Sequence, residues 1–267
     1  MAAIAQPLWE SWPELGPGLA RGTLLAAFDY DGTLVPIRPT PEEAIADDET
    51  RAALARLAAM PGTAVAVVSG RPVAWLRDLV PAEELWLVGL HGLEIAAPHG
   101  EVLPTIDLEA ASAALDPLRY AAAEIAARRE GVRVEDKGAT LVLHTRQASR
   151  REAIGAADEM RRVAEGIPGF EVMGGKEVVE ARPAGISKGT TMRRLLRDAG
   201  GESVVYVGDD TTDEDAFAAL EEATSGNAVT VRVGGEGDAV TRARFTIASQ
   251  AEVAELLRRL IELRSQE

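Results

Sequence analysis

Five short apolar runs constrain the fold of this chain more than any other feature: TLLAAFDY (23–30), TAVAVVSG (63–70), LWLVGL (85–90), SVVYVGDD (203–210) and AVTVRVG (228–234). Apart from AVTVRVG, where Thr230 and Arg232 alternate with valines, these runs are near-continuously apolar, which expects burial on both faces, the condition of a parallel sheet covered by helices. Segments of helical period separate them. Residues 41–60 carry Leu54 and Leu57 at helical spacing and stop before Pro61-Gly62, residues 72–80 read as a short helix, and SKGTTMRRLLRDAG forms a helix after Ser187. TDEDAFAALEEA predicts another helix and RFTIA a short strand. In AEVAELLRRLIELR, residues Val253, Leu256, Leu257, Leu260 and Ile261 lie along one packing face. LEIAAPHGEVLP (93–104) reads as a hairpin about Pro98-His99-Gly100. Residues 1–20 show no clear period and are expected to be a lead-in. The expected class is α/β, with a doubly wound, Rossmann-like parallel-sheet core.

Residues 105–182 follow other rules. An Ala-rich helix (109–129) leads to VRVEDKGATLVLHTR, two alternating strands about Lys137-Gly138. A second helix (150–165) precedes FEVMGGKEVVEARP, a hairpin turning at Gly174-Gly175. Helix and hairpin, twice over, predict an antiparallel α+β domain inserted between core segments 1–104 and 183–267. In its first hairpin Arg133, Glu135 and Lys137 share one side of a strand, and Val142, His144 and Arg146 share one side of its partner. The second hairpin adds Lys176 and Glu180.

Formal net charge is −15, which argues against nucleic acid or an anionic membrane as a partner. An anionic small molecule remains open if local cations or a metal meet it. No apolar run approaches the ~18 residues of a membrane span. The opening MAAIAQPLWESWPEL lacks the basic region and long apolar stretch of a signal peptide. The absence of cysteine excludes disulfides and thiolate chemistry and fits the cytoplasm. A monomer acting on a small molecule is the expectation.

The chemistry-bearing residues stand at element ends. Asp29 and Asp31 close the first run, Ser69 the second, Asp209 and Asp210 a later one, and Lys188 opens a helix. In open α/β sheets ligands bind beyond the carboxyl ends of the strands, so these positions converge on one volume. Mg²⁺ takes oxygen ligands, typically one or two carboxylates plus substrate phosphate, a role suited to Asp29 and Asp209. Lys188 and the Ser69 hydroxyl suit phosphate oxygens, assisted by backbone N–H groups of the turns at Gly32-Thr33 and Gly70. Asp29, kept ionised by a cation and a lysine, is then a nucleophile, and Asp31 an acid and base. Glu214 and Asp215 read as acids favoured by a helix start. His91, His99 and His144 are too dispersed for a zinc site, and His99 in its turn is a bystander.

DYDGT, a strand-ending serine, a lysine and GDDTTD together resemble the haloacid dehalogenase-like (HAD) phosphohydrolases. That resemblance implies an aspartyl phosphate on Asp29, acid–base work by Asp31, and phosphoryl binding by Ser69 and Lys188. It also implies Mg²⁺ held by Asp29, the Asp31 backbone carbonyl and Asp209, with Asp213 supporting the metal site and Asp210 an alternative. A longer set, DYDGTLVPI, VVSGR, GLHG, VEDKGATLVLHTR, GKEVVEARPAGISKG and GDDTTDEDAF, is similar to the trehalose-6-phosphate phosphatase family over most of residues 26–217. It implies hydrolysis of trehalose 6-phosphate to trehalose and phosphate, with the inserted domain acting as a cap. Glu135, Lys137 and Glu180 would grip sugar hydroxyls, Arg71, His91 and Gly92 would line the cleft, and His144, Arg146 and Lys176 would be further contacts. Other sugar phosphates, such as sucrose or mannosylglycerate phosphate, fit the same scaffold. A mutase and a phospho-accepting receiver fit it less well.

Overall fold

A computed structural model describes residues 3–175, 177–234 and 240–265. The chain divides into two compact units, Met1–Leu103 with Ser187–Glu267, and Pro104–Ile186. The first is built on a sheet of nine strands in the order Gln6–Pro7, Phe245–Ile247, Val229–Val233, Ser203–Gly208, Leu24–Asp29, Thr63–Val68, Trp86–Gly89, Glu94–Ala96, Val102–Pro104. Pairing is parallel from Gln6–Pro7 through Trp86–Gly89 and turns antiparallel at Glu94–Ala96.

The unbroken apolar runs follow from burial on both faces. Along Leu24–Asp29, Leu24, Ala26 and Phe28 join a core with Leu54, Leu57, Leu256 and Leu260, whereas Leu25 and Ala27 join a second core with Met192, Leu195, Tyr206 and Phe217. The helices Asp48–Ala58, Val73–Leu79 and Gln250–Arg264 supply the first core, and Lys188–Asp198 and Thr211–Ala223 the second. A polar residue on either face of Leu24–Asp29 would lie in a dry core, which is why the period-2 pattern is missing there; in Val229–Val233 the buried Thr230 is tolerated because its Oγ1 accepts from the Arg244 N–H at 3.0 Å. The doubly covered parallel sheet and a separate antiparallel sheet match the expected fold class.

Residues 1–20 are not a lead-in. Leu8–Leu19 is a helix, although Pro13 and Pro17 lie inside it, and each proline deletes a backbone donor. Leu8 and Leu19 are buried, with Trp9, Trp12 and Leu15 packed against the same core. Packing holds what propensity and periodicity do not announce. The helix expected over 41–60 starts at Asp48, where the Asp47 side chain accepts from the Thr50 N–H at 2.7 Å; only a 3₁₀ turn occupies Pro41–Glu43.

The second unit holds a four-stranded antiparallel sheet in the order Phe170–Gly175, Val178–Pro183, Leu141–His144, Arg133–Asp136. One face packs Leu141, Leu143, Val179 and Ala181 on Leu118, Ala122 and Ile125 of helix Asp116–Ala127 and on Ala156 and Met160 of helix Arg150–Ala164. The single helix expected over 109–129 is two, Leu108–Ala114 and Asp116–Ala127, parted at Leu115. Pro117 accounts for the break: its ring crowds the carbonyl of Ala113 four residues back and it has no N–H to donate, so it is best accommodated in the first turn of a new helix. Among the described residues, no helix is long and apolar enough to cross a membrane.

Candidate active site

The chain runs from the central strand Leu24–Asp29 to Thr63–Val68 on one side, and reaches Ser203–Gly208 on the other only much later. Strand order reverses there, which opens a crevice at the carboxyl ends. Asp209, Asp29 and Ser69 follow or end these three adjacent strands. Lys188, the first residue of helix Lys188–Asp198, reaches across to them. Its Nζ donates to Asp29 Oδ1 at 2.5 Å and to Asp213 Oδ1 at 2.7 Å, with only 2% of its side chain exposed.

Asp213 fastens this arrangement. Its Oδ1 also accepts from the Tyr206 hydroxyl at 2.7 Å, and its Oδ2 from the backbone N–H groups of Asp209 and Asp210 at 3.1 and 3.0 Å. Gly208 is required by that approach, because a Cβ there would sit 2.2 Å from Asp213 Cγ. Gly32 is required at the facing turn: its φ is +91°, and a Cβ would fall 2.4 Å from the Asp209 carboxyl. The two turns are packed so closely that only backbone separates the Asp31 turn from the Asp209 carboxylate.

Burial pushes the Asp29 carboxyl well above its usual range; Lys188 opposes this, and the Asp213 and Asp209 carboxylates reinforce it. Burial also works against the charge of Lys188, but Asp213 and Asp29 outweigh it and raise its pKa. Asp29, Asp209 and Asp213 each offer a carboxylate oxygen within 4.8 Å of the others. An all-oxygen, anionic, desolvated set fits a hard divalent cation. Asp213 already takes four donors, so it holds the frame, and Asp29 and Asp209 are the pair suited to ligation.

Asp31 points elsewhere. Both its oxygens are taken by Arg71, with Nε to Oδ2 at 2.8 Å and Nη2 to Oδ1 at 2.7 Å. The guanidinium lies 5.2 Å from the Tyr30 ring centroid and 5.9 Å from that of Trp75. The Ser69 hydroxyl oxygen accepts from the Arg71 N–H at 3.1 Å, which leaves its proton for a ligand oxygen. Next to it the chain turns through His91 at φ 56° and Gly92 at φ 118°; the His91 N–H donates to Ser69 O at 3.0 Å, and its imidazole lies against Gly70. Thr33 is buried, and its Oγ1 has no hydrogen-bond partner among the described residues. The Gly32 N–H, expected to face phosphate, is instead used within the turn, donating to Val35 O at 2.7 Å. A turn that tight closes on its own carbonyl first.

In the second unit, strand register puts Glu135, Val142 and Glu180 in one row across three strands, on the face away from the helices. His144 and Arg133 form the next row. Glu135 Oε2 and His144 Nε2 are 2.7 Å apart. This contact holds the Glu135 carboxyl below its usual range, burial opposing and Lys137 assisting. Two strand spacings separate the Glu135 and Glu180 backbones by roughly 10 Å, a span that suits a sugar ring. Arg146 lies past the strand end and pairs with Glu177 at 2.8 Å. Lys176 lies outside the described residues.

A family model for trehalose-phosphatase matches residues 27–251. The chain belongs to the trehalose-phosphatase family. It is 38% identical over 242 residues to the trehalose-phosphate phosphatase of Mycobacterium marinum, covering 87% of this chain and 60% of that protein. Against its counterpart in Mycobacterium tuberculosis H37Rv it is 36% identical over 255 residues, covering 92% and 63%. The chain thus spans less than two thirds of the length of these relatives. Among solved structures, the C-terminal domain of Candida albicans trehalose-6-phosphate phosphatase superposes with a TM-score of 0.84 at 25% identity, over 97% of this chain and 99% of that one.

For a member of the trehalose-phosphatase family, three supporting residues escaped the sequence reading. Gln250 Nε2 donates to Gly32 O at 2.6 Å and so ties the last helix to the turn after Asp31. Tyr206 sits in an apolar run and looks like core, yet its hydroxyl braces Asp213. Glu214 does more than favour a helix start: it accepts from Thr241 Oγ1 and the Arg242 N–H, both at 2.6 Å, and pairs with Arg232 at 2.5 Å. A buried tyrosine two residues before GDD was the one available signal, since a buried hydroxyl demands a partner.

Proposed function

We propose that the chain is a Mg²⁺-dependent phosphatase that hydrolyses trehalose 6-phosphate to trehalose and phosphate through an aspartyl phosphate on Asp29. The observation that carries this reading is Lys188 bridging Asp29 and Asp213 beside Asp209, a buried site with both a nucleophile and the means to neutralise a phosphoryl group. Mg²⁺ on Asp29 and Asp209 would supply the charge that keeps Asp29 ionised and draws phosphate oxygens toward it. Lys188, Ser69 Oγ and Thr33 Oγ1 bind the remaining oxygens and set phosphorus in line with Asp29. Asp31 protonates the departing sugar oxygen, then takes a proton from the water that releases phosphate. Its carboxylate is committed to Arg71, so it must turn from that guanidinium to act.

Glu135, Lys137 and Glu180 of the inserted unit recognise the sugar hydroxyls, and His144 and Arg146 flank them. Support comes from the register that aligns both glutamates on one polar face and from the family to which the chain belongs. Carboxylates accept from vicinal hydroxyls and an ammonium donates to them. Phosphate release from trehalose 6-phosphate, sucrose 6-phosphate, glucose 6-phosphate and a small aryl phosphate, each with Mg²⁺ or EDTA, tests the reading. Trehalose 6-phosphate should lead in kcat/KM, EDTA should abolish turnover, and Asp29→Asn should release no phosphate. Metal-independent turnover, or a clear lead for another sugar, would overturn it.

A further inference from the structure

Arg119, near the start of helix Asp116–Ala127, is committed to one short turn of the inserted unit. Its Nε donates to Asp136 Oδ2 at 2.6 Å, and its Nη2 to Gly138 O at 2.7 Å and Ser112 Oγ at 2.9 Å. Its Nη1 donates to Ser112 O at 2.6 Å and Asp116 Oδ1 at 2.7 Å. Ser112 and Asp116 belong to the corner between helices Leu108–Ala114 and Asp116–Ala127. Asp136 and Gly138 are the residues on either side of Lys137. The turn is closed locally as well, with the Gly138 N–H donating to Asp136 Oδ1 at 2.8 Å and the Lys137 N–H to Thr140 O at 3.0 Å. One planar, rigid cation therefore links a helix corner to the residues on both sides of Lys137, through the Asp136 carboxylate and the Gly138 carbonyl. A guanidinium suits this because its donors diverge in a fixed plane, which an ammonium cannot reproduce.

We propose that Arg119 is a positioning residue for sugar recognition: acting through Asp136 and Gly138, it sets where Lys137 and its neighbour Glu135 present their side chains. It does not touch the sugar. Lys137 has a long flexible stem, and a turn free to move would have to be ordered along with it whenever substrate binds. Holding the turn in advance removes that cost from binding. The inference rests on the assignment of Lys137 and Glu135 to the sugar hydroxyls.

Steady-state kinetics on trehalose 6-phosphate and on a small aryl phosphate test it, using the wild type, Arg119→Lys, Lys137→Ala and the double variant. Arg119→Lys should raise KM for trehalose 6-phosphate roughly tenfold, with kcat within about twofold and the aryl phosphate unaffected, because the charge remains but the fork is gone. In the Lys137→Ala background the same change should add clearly less than tenfold, since one of the two groups it positions has been removed. Equal losses on both substrates, or an undiminished tenfold effect on Lys137→Ala, would mean that Arg119 merely stabilises the unit and would overturn the proposal. Asp136→Asn, which weakens the same link, should repeat the pattern if Arg119→Lys folds poorly. A wild type inactive on trehalose 6-phosphate defeats the substrate reading itself. A wild type that prefers it, with Arg119→Lys indistinguishable, defeats only the role of Arg119.

Discussion

At Lys188 a single ammonium lies between two buried carboxylates. Taking it away leaves Asp29 and Asp213 desolvated and mutually repelling, and removing one partner of a buried pair costs about 3–5 kcal/mol. Lys188→Met should therefore lower unfolding free energy by that amount in urea titrations run in EDTA, in addition to ending phosphate release. An unchanged midpoint would mean the three groups are not coupled as their geometry indicates. The strand-end positions of Asp29, Ser69 and Asp209 were legible because apolar runs stop at them. Arg119, Gln250 and Tyr206 were not, because their partners are chosen in three dimensions. Nothing in the chain around Gln250 marks it as the neighbour of Gly32, which lies 218 residues away.

Among the elements, the helix Asp48–Ala58 shows what a local signal can and cannot settle. Its cap, Asp47, is exposed and accepts from Thr50, and those hydrogen bonds hold its carboxyl below the usual range. Asp47→Ala should cost about 1 kcal/mol, whereas Asp47→Asn, which keeps an accepting oxygen, should cost much less. Because the folded pKa lies below the unfolded one, the cap contributes fully above the unfolded value near ~4 and fades as pH falls through the folded value. Thermal denaturation at pH 7 and in stronger acid should therefore show the gap between wild type and Asp47→Ala closing on the acid side. The sheet was readable because burial on both faces writes itself as unbroken apolar runs. The helix Leu8–Leu19 was hidden by prolines that only tertiary packing overrides, and the break at Leu115 by an alanine run whose periodicity continues through it.

For the molecule as a whole, one heavily connected group lies far from the chemistry. Arg264, at the end of the last helix, donates to Ala20 O at 2.7 Å, Gly22 O at 2.8 Å, Pro61 O at 2.9 Å and Thr63 Oγ1 at 3.1 Å. These atoms lie where the chain enters the strands Leu24–Asp29 and Thr63–Val68, the ends opposite Asp29 and Ser69. Arg264 is itself buried, and Arg264→Ala removes these charged hydrogen bonds together with the packing of its stem, which should cost about 3 kcal/mol. Well below the melting temperature kcat should stay at the wild-type value, and a parallel fall in kcat would show that the two ends of the sheet are not independent.

The split of the sheet-bearing unit into two stretches of chain also sets an order of events during synthesis. Leu24–Asp29 acquires its neighbour Thr63–Val68 early, but its other flank waits for Ser203–Gly208, which emerges only after all of Pro104–Ile186. The interrupting stretch is contiguous and has its own core, so it can fold on the ribosome first. Meanwhile LLAAFD presents an open edge, apolar up to Asp29, the kind of surface that recruits stray strands. The interruption that gives this chain a second sheet thus lengthens the interval in which the nascent strand stands with one flank unpaired.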